Sequence, residues 1–149
     1  MLDYVPQGNS ALLPHELIEI RTALLSVNSI DNLGLWVMIL FHVQLFLRAS
    51  EGCNFRFEHF VQGLTSLNSQ TRQVVALGVK VFGKCDDNPE LLMIWRNEKV
   101  PELCLIRHLL AWIHLSGNTS GFMFPDHTGK GPIDYEFFQT RYYLFFLEY

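Results

Sequence analysis

Basic residues are outnumbered, cysteines are few, and no apolar run is long enough to cross a bilayer. Eleven Lys and Arg against fifteen Asp and Glu leave a net charge of −4. That balance argues against a strongly basic nucleic-acid binder, which carries a visible excess of Lys and Arg. The three cysteines, Cys53, Cys85 and Cys104, are odd in number and lack metal-ligand spacing. They read as reduced thiols of an intracellular protein. The apolar run from Leu33 is too short and too interrupted for a membrane span, which takes about 18 or more residues. No basic-then-apolar leader opens the chain, so no secretory route is expected. Without one, the acceptor-like Asn118-Thr119-Ser120 carries no weight. There is no internal repeat, low-complexity tract or linker. One domain is therefore expected over residues 13–149, behind a flexible arm at 1–12 that holds Pro6, Gly8, Asn9 and Ser10.

What is present suffices for a core: 49% of the 149 residues are hydrophobic and 13% aromatic. The chain is organised around the run from Leu33 to Leu47, relieved only by Gly34, His42 and Gln44. Such a run predicts a helix covered on all sides, capped by Asp31 or Asn32. It delivers Arg48 to its end. An arginine at the edge of a core implies an anionic partner. Either Glu51, three residues on, or an external phosphate gripped by two parallel hydrogen bonds fits that role.

Before this helix, Pro14 suits a first helical position, and Leu17 with Leu24 and Ile18 with Leu25 make a stripe that ends near Ser26. After it, residues 55–62 read as a short aromatic helix stopped by Gly63. The period then changes. Val75, Leu77, Val79 and Val81 alternate with Ala76, Gly78 and Lys80, the rhythm of a half-buried strand. Leu91 to Trp95 is a second such run. The turn-rich segment between them makes the pair an antiparallel hairpin with Lys84 near its tip. Pro101 and Glu102 open a helix whose Leu103, Ile106, Leu109, Leu110 and Ile113 face inward, closed by Gly117. Arg107, His108 and His114 on it read as a solvated face, since partners for a metal or phosphate site are missing. Asp134 caps a last, aromatic-rich helix. The expected class is α+β, mainly helical, with one small antiparallel hairpin.

The order of these pieces resembles the catalytic domain of the tyrosine recombinases, the phage-integrase family, and most of all its eukaryotic mobile-element members. The family's first box, roughly G-L-R-x-S-E-L, stands here as Phe46-Leu47-Arg48-Ala49-Ser50-Glu51-Gly52. Its hairpin K-T-D stands as Lys84-Cys85-Asp86. The following helix, Ser-Gly and Leu-Phe-like loop stand as Cys104-Leu105-Ile106-Arg107, Ser116-Gly117 and Phe122-Met123-Phe124. The resemblance runs from about Leu13 to Tyr143.

That resemblance implies DNA strand exchange through a covalent 3′-phosphotyrosine, with cations neutralising charge on the phosphorus transition state. Arg48 would hold the nonbridging oxygens of the scissile phosphate. Lys84 would enter the minor groove and protonate the leaving oxygen, and Glu51 would support Arg48. Positioning and electrostatics dominate phosphoryl transfer, which is why such residue types are needed. No cofactor or metal is implied, nor a membrane or small-molecule substrate. The implied partner is duplex DNA, with self-association as a further option, in an intracellular location, nuclear if the source is eukaryotic.

Several features depart from the family pattern. No His-x-x-Arg occurs in the 149 residues. His127-Thr128-Gly129-Lys130 imitates its spacing in a place where the family has no catalytic residue. Tyr142, Tyr143 and Tyr149 are not credible nucleophiles. Gly52 replaces an apolar residue and Cys85 a threonine. The expectation is therefore a domain truncated before the second half of the active site: a fragment or degenerate member of a site-specific recombinase. The alternative is a non-catalytic DNA-binding or protein-interaction module derived from one, and a weaker third is an unrelated helical scaffold. If the family surface persists, Arg48, Arg56, Arg72, Lys80 and Lys84 should form a local positive patch.

Overall fold

Residues 13–82, 88–134, 136 and 140 are described by the computed structural model. Along them run α1 (Pro14–Leu25), α2 (Ile30–Leu45), α3 (Ala49–Cys53), β1 (Phe60–Leu67), β2 (Val74–Val81), β3 (Glu90–Trp95) and α4 (Leu105–Ser116), with single 3-10 turns at Phe57–His59 and Pro101–Leu103. The result is a small α+β domain with one three-stranded antiparallel sheet, ordered β1-β2-β3. No helix among the described residues is long and apolar enough to cross a membrane.

The central helix is covered all round, as its composition requires. Leu33 to Phe41 are buried without a break, and Trp36, Val37 and Phe41 have no exposed surface. Each large side chain buried this way contributes about 1.5–3 kcal/mol. α1 lies against α2 through Leu17, Ile20 and Leu24. α4 packs on α2 through Leu105, Ile106, Leu109 and Trp112. Gly34 makes the closest approach possible, because a Cβ there would stand 2.9 Å from Nε1 of Trp112. The inner face of the sheet adds Val79 and Ile94 to the same core, with Phe60, Leu77 and Leu92 packed against it.

Five expectations are corrected. Ser29, not Asp31 or Asn32, caps α2: its hydroxyl accepts the Asn32 N–H at 3.3 Å. α2 stops at Leu45, where Phe46 turns left-handed (φ 52°), so Arg48 begins α3 instead of ending α2. Residues 55–62 form no helix. One 3-10 turn leads into β1, which crosses Gly63 and pairs with β2, adding a third strand to the expected hairpin. Leu110 faces solvent, at 37% exposed. His108 is buried rather than solvated, because α4 turns 105, 106, 109 and 112 inward and carries 108 with them.

The β2–β3 pairing holds as expected, in an unbroken register from Ala76↔Trp95 to Val81↔Glu90. Pro101 opens the turn before α4, and Gly117 closes that helix at φ 70°. Lys84, Cys85, residues 1–12 and the last helix lie outside the described residues, apart from 136 and 140.

Candidate functional site

Local sequence chemistry places the Arg-x-Ser-Glu box. α2 can end at Phe46 only by a left-handed turn, and Arg48 then adopts an extended conformation as the residue before α3. Oε2 of Glu51 accepts the backbone N–H of Arg48 at 2.9 Å, closing the first turn of α3. This satisfies a backbone donor that would otherwise face only water. The expected Arg48–Glu51 contact therefore exists, but through the main chain. Among the described residues the Arg48 guanidinium has no ion pair, and the ion pair present joins Arg56 and Glu58 at 3.3 Å.

Ser50, Glu51 and Asn54 line a hollow of about 430 Å³ whose remaining lining comes from Leu47, Phe55, His59, Lys80, Val81 and Phe82. The box and the root of the hairpin, some thirty residues apart in sequence, thus share one concave surface. Arg48 is exposed at the start of the same short helix but is not part of that lining. Lys84 lies outside the described residues.

His59 is oriented from both sides. Its Nδ1 accepts the Arg56 N–H at 3.1 Å, so a neutral ring carries its proton on Nε2. The ring stands 5.2 Å from that of Phe55 and 5.0 Å from that of Phe82. Burial pushes its pKa down, and the charges of Arg56 and Lys80 add to this against an opposing pull from Glu58. The hollow therefore combines a neutral imidazole, a hydroxyl, an amide and the ammonium of Lys80 with the one carboxylate of Glu51. Such a set suits a singly charged phosphodiester better than a dianion, since a fixed carboxylate opposes a second negative charge.

Of the cations expected to cluster, Arg56 and Lys80 both act on His59 and Arg72 stands apart, while Lys84 lies outside the described residues. Arg56, exposed, lies with its guanidinium carbon 4.5 Å over the Phe122 ring and its Nε on Glu58. Arg72 sits in the turn before β2 while Lys80 is near the other end of that strand. Glu58 is itself held below the usual carboxylate range, by its own backbone N–H first and then by that of Gly121.

A second, larger hollow of about 700 Å³ lies between α2, α4 and the loop after it, floored by Leu35, Met38, Trp112 and Phe124. Asp31, Asp126, Asp134 and His127 edge it. Asp126 is kept below its ordinary pKa by the Thr128 hydroxyl, 2.6 Å away, and then by the Gly131 and Thr128 amides. Its charge is hostile to phosphate. His127, whose spacing to Lys130 imitates a catalytic box, belongs to this acidic rim.

Cys53 and Cys104 are buried free thiols. Burial, with Asp134 nearby, pushes the Cys53 thiol up to about 11, so it is inert near neutrality. Cys104 accepts the Arg107 N–H on its sulfur at 3.4 Å and caps α4. Among the described residues no three His, Cys, Asp or Glu side chains converge as a metal site would require.

No family model matches the chain, and neither a curated protein nor a solved structure is found to be similar to it. What is established is the class: a small α+β domain with a buried central helix and a polar hollow between α3 and the β2 strand. His59 and Asn54 were not singled out in the sequence. Lys80 was legible as the polar member of the β2 alternation and as one cation of the expected positive patch.

Proposed function

We propose that the chain is a recombinase-derived module that contacts the phosphodiester backbone of duplex DNA through the rim of the α3–β2 hollow, without cleaving it. One observation carries this reading: Ser50 and Glu51 of the Arg-x-Ser-Glu box line the same hollow as Lys80 of the hairpin. The order of α1, α2, box, β2–β3 pair and α4 agrees with the order that the tyrosine-recombinase resemblance implies. In this reading Arg48 and Lys84 flank a phosphate, Glu51 fixes the Arg48 backbone, and Lys80 and His59 add donors at the edge. Contact with a backbone phosphate is electrostatic and largely independent of sequence.

Cleavage by these 149 residues is not part of the proposal. They contain no His-x-x-Arg, and loss of even one member of a nucleophilic constellation removes most of its rate. A nicked suicide duplex should trap no covalent adduct, and a trapped adduct would assign a nucleophile to one of the C-terminal tyrosines.

Fluorescence anisotropy of a random duplex at several salt concentrations tests the binding. The expected result is weak, sequence-independent binding that falls steeply with salt. Binding absent even at low salt overturns it. That outcome would favour a protein-interaction module, which the net charge of −4 and the acid-edged second hollow support.

A further inference from the structure

The two edges of the sheet differ in how they are protected. β1 is irregular: its register against β2 shifts between Val61 and Ser66 and again before Leu67, and Gln62, Gly63, Thr65 and Ser66 are exposed. Bulges and polar residues are common devices against edge-to-edge pairing. β3 has no bulge, and its one polar residue is Glu90 at its start. Its six residues pair with β2 without a shift, and it contains no Pro, Lys or Gly.

The backbone of β3 is also phased for a partner. The Arg96 N–H donates to the Val75 carbonyl at 2.8 Å, which makes that position a hydrogen-bonded pair. Antiparallel pairs alternate, so Glu90, Leu92 and Ile94 turn their backbone groups toward β2. Leu91, Met93 and Trp95 turn theirs to the edge that no other described strand occupies. The same three residues project from the outer face, where they are 58%, 37% and 65% exposed. Backbone donors and apolar side chains thus coincide in one strip.

We propose that β3 is the seam of a twofold-symmetric dimer, in which two copies pair antiparallel about Met93 and join their sheets into one of six strands. The strand is self-complementary in that register. Leu91 comes opposite Trp95 of the second copy on the apolar face, twice. Met93 meets Met93 in a hydrogen-bonded pair on the axis. Glu90 falls opposite Arg96 of the second copy in a non-hydrogen-bonded pair, where side chains approach most closely. The charge match selects this register over one shifted by two residues, which would bring Glu90 opposite Ile94. Arg96 is already held in place, since its Nε donates to the Val74 carbonyl at 2.7 Å. An isologous contact of this kind closes at two copies.

Sedimentation velocity over a range of concentrations tests the seam. The wild-type chain is expected to dimerise. Met93→Pro removes only an outward-facing N–H, so it should abolish the dimer while leaving the circular dichroism unchanged. Glu90→Arg and Arg96→Glu each create two like-charge pairs and should weaken the dimer about tenfold. Mixing these two variants restores opposite charges at both positions and should give a heterodimer of near wild-type affinity. A wild-type chain still monomeric at about 500 µM overturns the proposal. So does a dimer that survives Met93→Pro, which would place the interface elsewhere. If Arg96→Glu fails to fold, Met93→Pro and Glu90→Arg decide the matter alone.

Discussion

Arg21 on α1 donates its Nε–H to Nε2 of His108 on α4 at 3.0 Å, while Nδ1 of the same ring lies 2.7 Å from the Cys104 carbonyl. Both ring nitrogens are thereby committed: Nδ1 carries the proton and Nε2 accepts. The ring is 5% exposed and stands edge-on to Trp36, with centroids 6.0 Å apart. A second proton on Nε2 would break the bond to Arg21 and set two cations side by side.

This arrangement predicts a loss of stability in mild acid. Burial first, then the charges of Arg21 and Arg107, hold the folded pKa of His108 below its ordinary 6.5, against opposing pulls from the Cys104 carbonyl and Glu102. Above 6.5 the ring is neutral in both states, and the fold keeps the full benefit of the arrangement. As pH falls through 6.5 the unfolded chain takes up the proton first, and stability is lost until the folded pKa is also passed. His59 is shifted in the same direction and adds to the effect. Urea midpoints should fall between about pH 7.5 and pH 5.5, and His108→Gln should flatten that dependence. An unchanged slope in His108→Gln would mean that another group sets it.

Phe46 should be replaceable by glycine with a gain. It holds φ 52° and ψ 39° at the end of α2, a conformation that costs a residue with a Cβ about 1 kcal/mol, and its side chain is 92% exposed. A left-handed turn is a position that glycine fills without strain. Phe46→Gly is expected to raise unfolding free energy by roughly 1 kcal/mol in urea titrations, with the slope unchanged. A loss instead would show that the exposed ring has a partner.

How far the sequence alone reached follows from where each signal lies. α1, α2 and the core of α4 announce themselves through local patterns: a proline at the first turn, an unbroken apolar run, a terminal glycine. The β2–β3 pair does so through alternation. β1 has no such signal, because Gln62, Gly63, Thr65 and Ser66 break any alternation, and its strand exists by pairing with β2. On α4 the apolar pattern places Ile106 and Leu109 inside, as found, but at two neighbouring positions polarity and burial are reversed: Leu110 faces out and His108 faces in. At the site, the box could be read but the hollow could not. Its walls come from α3, the turn at His59 and the end of β2, and only folding brings these together.

Gly52 has a steric reason to be glycine. A Cβ at this position would land on the His42 ring, which is held by a 2.7 Å contact between its Nδ1 and the Met38 carbonyl. A larger apolar residue there has no room. Gly52→Leu should destabilise by about 1–3 kcal/mol, as overpacking does. His42→Ala, made in addition, should recover much of that loss despite its own cost, a coupling that a double-mutant cycle in urea reads directly. Additive losses would show that the leucine strains the backbone instead.

If the proposed contact with DNA holds, its salt dependence distinguishes which cations touch phosphate. Each phosphate neutralised contributes about 0.9 to the slope of log affinity against log salt. Arg48 has no ion pair among the described residues, and Lys80 lines the hollow, whereas Arg56 is held by Glu58 and Phe122. Arg48→Ala with Lys84→Ala should therefore lower the slope by about two contacts' worth, and Lys80→Ala by about one more. Arg56→Ala should leave the slope nearly unchanged, because its charge is already compensated within the protein. Were Arg56→Ala to reduce the slope as much as Arg48→Ala, the DNA would lie across the Phe122 loop, and the hollow beside α3 would lose its assigned role.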